Sequence, residues 1–296
     1  MKILVFDIGG TAIKHGCWID GALVEVHETP TEAKKGGRHI VNTLIALIEA
    51  QSGYDAIGIS TAGQVNAEEG FIIYANENIP NYTGTQIRRE LEERFHVPVA
   101  VETDVNAAAL GEAVYGAGLD HPNFLCLTYG TGVGGAIVQD HQVYHGSSFS
   151  AAEFGAIVTH AEARIGGSSF FDGCYERYAS TTALVRMAKA YDPALDSGRK
   201  IFARLDDPNV MQILDRWVDE IMLGLSTLTH IFNPSCIVLG GGIMVQPLVL
   251  ELIHSKVQRY IMPSFAQVDI RPAKLGNTAG LLGACYLAQQ KLRSGQ

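Results

Sequence analysis

The sequence predicts an α/β fold built on an internal repeat of strand, glycine loop and hairpin. Two loops carry the prediction: Asp7-Ile-Gly-Gly-Thr11, which ends the apolar run Lys2-Ile-Leu-Val-Phe6, and Thr128-Tyr-Gly-Thr-Gly-Val-Gly-Gly135. Each is followed by a hairpin pattern. Residues 12–18 and 22–26 alternate around Asp20-Gly21, while Ile137 and Val138 pair with Val143 and Tyr144 around Asp140-His141-Gln142. A third observation is that strand-like and helix-like segments alternate along the rest of the chain.

The elements follow in order. After the first hairpin, Ile40, Leu44, Leu47 and Ile48 share one face of a helix over residues 40–50, and residues 56–60 read as a strand. Ile87, Leu91 and Phe95 mark a second helix, and residues 98–101 a strand whose end carries Glu102-Thr103-Asp104. Polar residues at the carboxyl end of a strand are placed where sites form in open α/β sheets. In the second half Ile213, Trp217, Ile221 and Leu225 step along a long helix that Asn233-Pro234 stops. Cys236-Ile-Val-Leu239 then runs into Gly240-Gly-Gly242, a third glycine turn at a strand end, and residues 279–292 form a C-terminal helix. Gly116, Gly118 and Pro122 break the pattern around residues 111–122, dividing an N-terminal lobe, 1–115, from a C-terminal lobe, 116–296.

Glycine-rich loops let backbone N–H groups approach an anion, and a carboxylate at a strand end can hold the metal that accompanies a nucleotide. The pair of loops therefore points to ATP chemistry, the alternative being two ordinary glycine-rich turns. Gly130-x-Gly132-x-x-Gly135 also matches the spacing of the dinucleotide fingerprint, but that motif needs a helix directly after the glycines, and residues 136–144 read as a hairpin.

The chain has 296 residues, 47% of them hydrophobic, enough for one large or two medium cores. A net charge of -9 with no dense basic run argues against nucleic acid and anionic membranes as partners and favours small molecules. The N-terminus lacks a leader pattern and no run of ~18 apolar residues occurs, so the expected location is cytoplasmic. The five cysteines are scattered without a C-x-x-C pair and read as buried thiols.

Six segments together resemble the ROK family of repressors and sugar kinases. They are Asp7-Ile-Gly-Gly-Thr11, Ile59-Ser-Thr-Ala-Gly-Gln-Val65, Asp104-Val-Asn-Ala-Ala-Ala-Leu-Gly-Glu112, residues 128–135, Glu153-Phe-Gly155 and Val238-Leu-Gly-Gly-Gly242. The resemblance implies the two-lobe, actin-like, ribonuclease-H-type fold with a central cleft, and a kinase transferring phosphoryl from ATP to the 6-hydroxyl of a hexose, N-acyl hexosamine or glucoside. It makes Asp104 the catalytic base; the alternative role, capping the helix that follows, is compatible with that. Asp7 would hold Mg²⁺ directly or through water, and Gly9, Gly10, Thr11, Lys14, Thr131 and Gly132 would hold the phosphates. Gly240, Gly241 and Gly242 would pack on adenosine, although a tight strand-to-helix turn explains them equally well.

By the same resemblance Glu153 and Glu176 receive sugar hydroxyls, Gly63 and Gln64 belong to the loop at the sugar ring, Thr103 and Asp104 flank the acceptor, and Asn76 or Asn78 adds a contact. Carboxylates suit the task because each accepts several O–H donors. A solvated helix face beside Arg177 is the competing reading of Glu176.

The chain departs from the family at two places. The zinc-binding His after Glu153-Phe-Gly155 is Ala156, and Cys174 alone remains of the cysteine cluster, so no structural zinc is expected. The Asn that usually precedes the catalytic Asp is Thr103, which shortens a sugar contact. A sugar-responsive repressor would need a DNA-binding domain of roughly 60 residues ahead of the first loop. Met1 stands too close to Asp7 for that. A non-catalytic sugar sensor is disfavoured by the intact Asp7, Asp104 and glycine loops. A homodimer is the family habit.

Overall fold

The apolar N-terminal run forms strand β1 (Lys2–Ile8), in which Ile3, Leu4, Val5 and Phe6 are all buried, as an unbroken hydrophobic strand requires. The structure is a computed structural model describing residues 1–295. Strands β2 (Ala12–Ile19) and β3 (Ala22–Pro30) make the first hairpin, followed by helix α1 (Gly37–Glu49) and strand β4 (Ala56–Thr61). Next come β5 (Gln64–Asn66), β6 (Phe71–Tyr74), α2 (Ile87–Phe95), β7 (Val99–Thr103) and α3 (Asp104–Tyr115). Strands β8 (Phe124–Tyr129), β9 (Val133–Gln139) and β10 (Gln142–Val143) open the second half, followed by α4 (Ala161–Gly166), α5 (Glu176–Ala179), α6 (Thr181–Tyr191) and α7 (Gly198–Phe202). Helix α8 (Pro208–Phe232), β11 (Cys236–Gly240), α9 (Pro247–Tyr260), β12 (Asp269–Pro272) and α10 (Ala279–Ser294) complete the chain.

The predicted repeat is present as topology. In one sheet the order is β3-β2-β1-β4-β7, with β1 antiparallel to β2 and parallel to β4, and β4 parallel to β7. In the other, β9-β8-β11-β12 follows the same plan: β8 is antiparallel to β9 and parallel to β11, and β11 is parallel to β12. A parallel neighbour needs a crossover. Helix α1 supplies one in the first half and the long α8 the corresponding one in the second.

The division of the chain differs from a single cut at residue 115. One compact unit comprises residues 1–120, the excursion His141–Ala151 and everything from Asn277 onward; the other comprises His121–Asp140 and Ala152–Gly276. The C-terminal helix α10 belongs with the N-terminal sheet because it packs on α3, β4 and β1. Glycines make that approach possible. A Cβ at Gly283 would run into the carbonyl of Ala107, one at Gly111 into that of Ala279, and one at Gly58 into that of Ala284. The sequence gives these glycines no turn signal; they are close-approach positions inside regular elements.

Helix boundaries follow local chemistry. In α8, Pro208 opens the helix behind Asp207, whose carboxylate accepts the Asn209 N–H, and Asn233 in the left-handed conformation (φ 45°) closes it before Pro234. Trp217, Ile221 and Leu225 are buried as their spacing predicts, and Trp217 Nε1 donates to the carbonyls of Ala179 and Ser180. The β5–β6 hairpin, strand β12 and the helices α4 to α7 are additions to the predicted elements. All are short, and short segments carry little periodicity.

Candidate active site

Within the first unit, register places the candidate groups. Asp7 of β1 stands beside Ser60 of β4, and Ser60 beside Glu102 of β7; one step on, Ile8, Thr61 and Thr103 form the next row. Asp104 follows immediately as the first residue of α3, so Asp7 and Asp104 both lie at the carboxyl ends of parallel strands. With strands about 4.8 Å apart, β1 and β7 are separated by about 10 Å.

Asp7 is partly buried, and its Oδ1 accepts a 2.6 Å hydrogen bond from the Ser60 hydroxyl. Burial raises its carboxyl above the ordinary aspartate range, opposed by the Ser60 hydrogen bond and the charge of Lys14, its partner across the β1–β2 pair. Gly280, in the first turn of α10, lies so close that a Cβ there would come within 2.8 Å of Asp7 Oδ1. The loop beside it is pinned by Gly9 N–H donating to the Ala12 carbonyl at 3.0 Å and the buried Thr31 hydroxyl donating to the Gly9 carbonyl at 2.7 Å. Gly10 and Thr11 are left exposed.

Asp104 is exposed and its Oδ1 accepts the N–H of Val105 at 2.7 Å. The helix begins at Asp104 itself, so the capping position falls to Thr103 and Asp104 sits inside the first turn, where a carboxylate meets the positive end of the helix. The Thr103 hydroxyl accepts the Val65 N–H at 3.2 Å and so ties the loop of Gly63 and Gln64 to this turn. Gly63 has φ 97°, a conformation that favours glycine, and Gln64 Oε1 accepts a hydrogen bond from Ser150. Asn76 Oδ1 caps its own turn by accepting the Asn78 N–H, and Asn78 is exposed.

Glu102 is a residue whose neighbours in space the sequence does not disclose. It is 1% exposed, yet its carboxylate accepts the Thr103 N–H, the Asn106 amide and, at 2.7 Å, His145 Nε2. The hydrogen bond to Glu102 holds His145 above the ordinary imidazole range, against the effect of burial.

Within the second unit, Gly130 N–H donates to the Gly132 carbonyl at 3.0 Å, a turn that leaves Thr131 exposed. Glu176 lies directly under it: a Cβ at Gly132 would come within 2.5 Å of Glu176 Oε2, and that oxygen accepts the Val133 N–H at 3.4 Å. Glu176 therefore belongs to the loop and not to a solvated helix face. Burial raises its carboxyl and the charge of Glu153 adds to the shift. Glu153 itself is exposed, at the start of the short turn Phe154–Ala156. Gly241 (φ 106°) packs on the Tyr129 backbone, and Gly242 borders a cavity of about 310 Å³ with Arg199, Phe202, Ile243 and Gln246. The last four carry no sequence motif.

Cys174 is buried and its thiol donates to the Phe170 carbonyl. Among the described residues, His121, Cys236 and Asp269 come close enough to share a metal ion, at the amino ends of β8, β11 and β12. Asp269 is ion-paired with Arg271 and burial pushes the Cys236 thiol up to about 11.

The sequence profile of the ROK family matches residues 3–291. The chain belongs to the ROK family. It is 34% identical to a β-glucoside kinase of Klebsiella pneumoniae, over 99% of this chain and 98% of the relative. Among solved structures, a ROK family glucokinase from Streptomyces griseus in complex with glucose and AMPPNP superposes with a TM-score of 0.82 at 31% identity, covering 98% of this chain and 100% of that one. A ROK hexokinase from Thermus thermophilus gives 0.83 at 32% identity, with both chains fully covered. The fold of this ROK protein is thus the actin-like, ribonuclease-H-type α/β fold. No helix among the described residues is long and apolar enough to cross a membrane.

Proposed function

We propose that this ROK protein is an ATP-dependent sugar kinase that transfers the γ-phosphoryl group to the 6-hydroxyl of a hexose, N-acyl hexosamine or glucoside, with Asp104 as general base. The observation that carries the reading is the row of polar groups at the carboxyl ends of β1, β4 and β7, which puts Asp7 and the helix turn that begins at Asp104 at the same end of one sheet. A sugar hydroxyl is a weak nucleophile, and a carboxylate within hydrogen-bond reach takes its proton as it attacks phosphorus. Asp104 suits that task because it is exposed to an incoming hydroxyl while its Val105 hydrogen bond fixes its rotamer.

Asp7 fits Mg²⁺: it is a carboxylate whose burial is only partly offset by Ser60 and Lys14, an oxygen donor set suited to a hard cation. The bound ion would supply charge neutralisation at the phosphates. Gly9, Gly10, Thr11 and Lys14, and likewise Thr131 and Gly132, are the groups assigned to the phosphates in this reading. The cavity beside Gly242 has the apolar wall, in Phe202 and Ile243, that an adenine ring needs. Glu153 and Glu176 accept sugar hydroxyls. With the Thr103 hydroxyl turned to the Val65 backbone, selection among acceptors falls on Gln64, Asn78 and the two glutamates.

The names of the relatives support both glucose and β-glucosides as acceptors. The test is ADP release with ATP, Mg²⁺ and a panel of glucose, mannose, N-acetylmannosamine, N-acetylglucosamine, fructose and cellobiose, with the product located by ³¹P NMR. Phosphorylation at a hydroxyl other than the sixth overturns the regiochemistry; no ADP release with any sugar overturns the function.

A further inference from the structure

We propose that His145 is a positioning residue for Asp104, acting through Glu102, and that the loop it anchors locks the base turn to the sugar loop. The inference rests on the reading of Asp104 as the base. His145 lies more than forty residues beyond Asp104 in the chain, on the excursion His141–Ala151 that folds into the first unit. Its Nε2 donates to Glu102 Oε2 at 2.7 Å, while Glu102 Oε1 accepts the Thr103 N–H at 2.9 Å and the Asn106 amide at 3.0 Å. The carboxylate thus holds the residue before Asp104 and a residue one half-turn after it, and it is almost fully buried.

A buried carboxylate is stable only while its lone pairs are met by donors. His145 supplies the donor at Oε2. Without the imidazole, half the carboxylate faces an unmet acceptor position. It then has to turn or admit water, and either movement disturbs the two bonds that fix the Asp104 turn. Misplacing a catalytic group by about 1 Å costs on the order of a hundredfold in rate.

The same loop reaches the sugar side. Ala151 N–H donates to the His145 carbonyl at 3.1 Å and closes the loop, the Phe149 ring lies tilted against the His145 ring with centroids 5.8 Å apart, and the Ser150 hydroxyl donates to Gln64 Oε1 at 3.0 Å. One end of the loop is therefore fixed beside the base turn and the other in the loop of Gly63 and Gln64, which Thr103 also ties down.

The experiment compares wild type with His145→Ala and His145→Gln, the latter carrying an amide donor at the reach of Nε2. Hydrogen exchange over residues 102–110 is read without ligands, and kcat and KM are read with an accepted sugar. The expected result for His145→Ala is faster exchange at Thr103 and Val105 and a kcat about tenfold lower, with KM for ATP within twofold of wild type; His145→Gln restores both. The proposal is overturned if exchange and kcat are unchanged in His145→Ala, if His145→Gln is as impaired as His145→Ala, or if KM for ATP rises in step with the fall in kcat. A wild type that phosphorylates no sugar removes the kinase reading, whereas the exchange data judge the Glu102 link separately.

Discussion

At the residue scale, Asp7 is a carboxylate held at the expense of stability. Its pKa is raised on folding because burial disfavours the ionised form more than Ser60 and Lys14 favour it. Such a group contributes favourably only where it is protonated, below the ordinary aspartate range of about 3.9, and that contribution is lost as pH rises through the folded value. Asp7→Asn is therefore expected to be more stable than wild type at pH 7, by about 2–4 °C in Tm for each kcal/mol regained. The gain should vanish near pH 3, and ATP-dependent turnover should be lost at every pH. Calorimetry across that range checks it; a variant less stable than wild type at pH 7 would show that the Ser60 bond outweighs burial. Asp7, Asp104 and the glycines were legible in the sequence because motifs mark them. Glu102 was visible only as a polar residue at a strand end, and its link to His145 was not, because a hydrogen bond between residues 43 apart leaves no spacing signal.

At the element scale, the decisive contact is α10 against α3 and β4. Its three glycines occupy positions where backbone meets backbone, so an added methyl has no flexible side chain to displace. Gly283→Ala is expected to destabilise by about 1–3 kcal/mol or more through overpacking, read as a fall in Tm. Ala at Gly242, where a Cβ meets open space, should leave Tm within about 1 °C by the same reasoning. Equal Tm values for the two variants would contradict the packing account. The long α8 and most strands were readable from period and caps, whereas β5, β6, β12 and α4 to α7 were not, since three- or four-residue strands and helices of four to eleven residues rarely complete a clear apolar pattern. The assignment of α10 to the N-terminal sheet was illegible for another reason: periodicity gives a helix its buried face but not the sheet that covers it.

At the scale of the whole molecule, the repeat of sheet topology, β2-β1-β4-β7 and β9-β8-β11-β12, was foreshadowed by the echo of two glycine loops, because the same strand, turn and hairpin need the same residues twice. The expected zinc content follows from the departures at Ala156 and Cys174. Purified protein should hold no stoichiometric zinc and should regain full activity when Mg²⁺ is restored after a chelator. One tightly bound zinc per chain would point to His121, Cys236 and Asp269 as its ligands. The most direct test of the central claim is the turnover of Asp104→Asn beside wild type, measured with the sugar that wild type phosphorylates and paired with calorimetric binding of that sugar and ATP. The amide keeps the shape of the side chain but cannot take the proton, so kcat should fall by on the order of a hundredfold or more with both affinities retained. A kcat within a few fold of wild type would contradict Asp104 as the base.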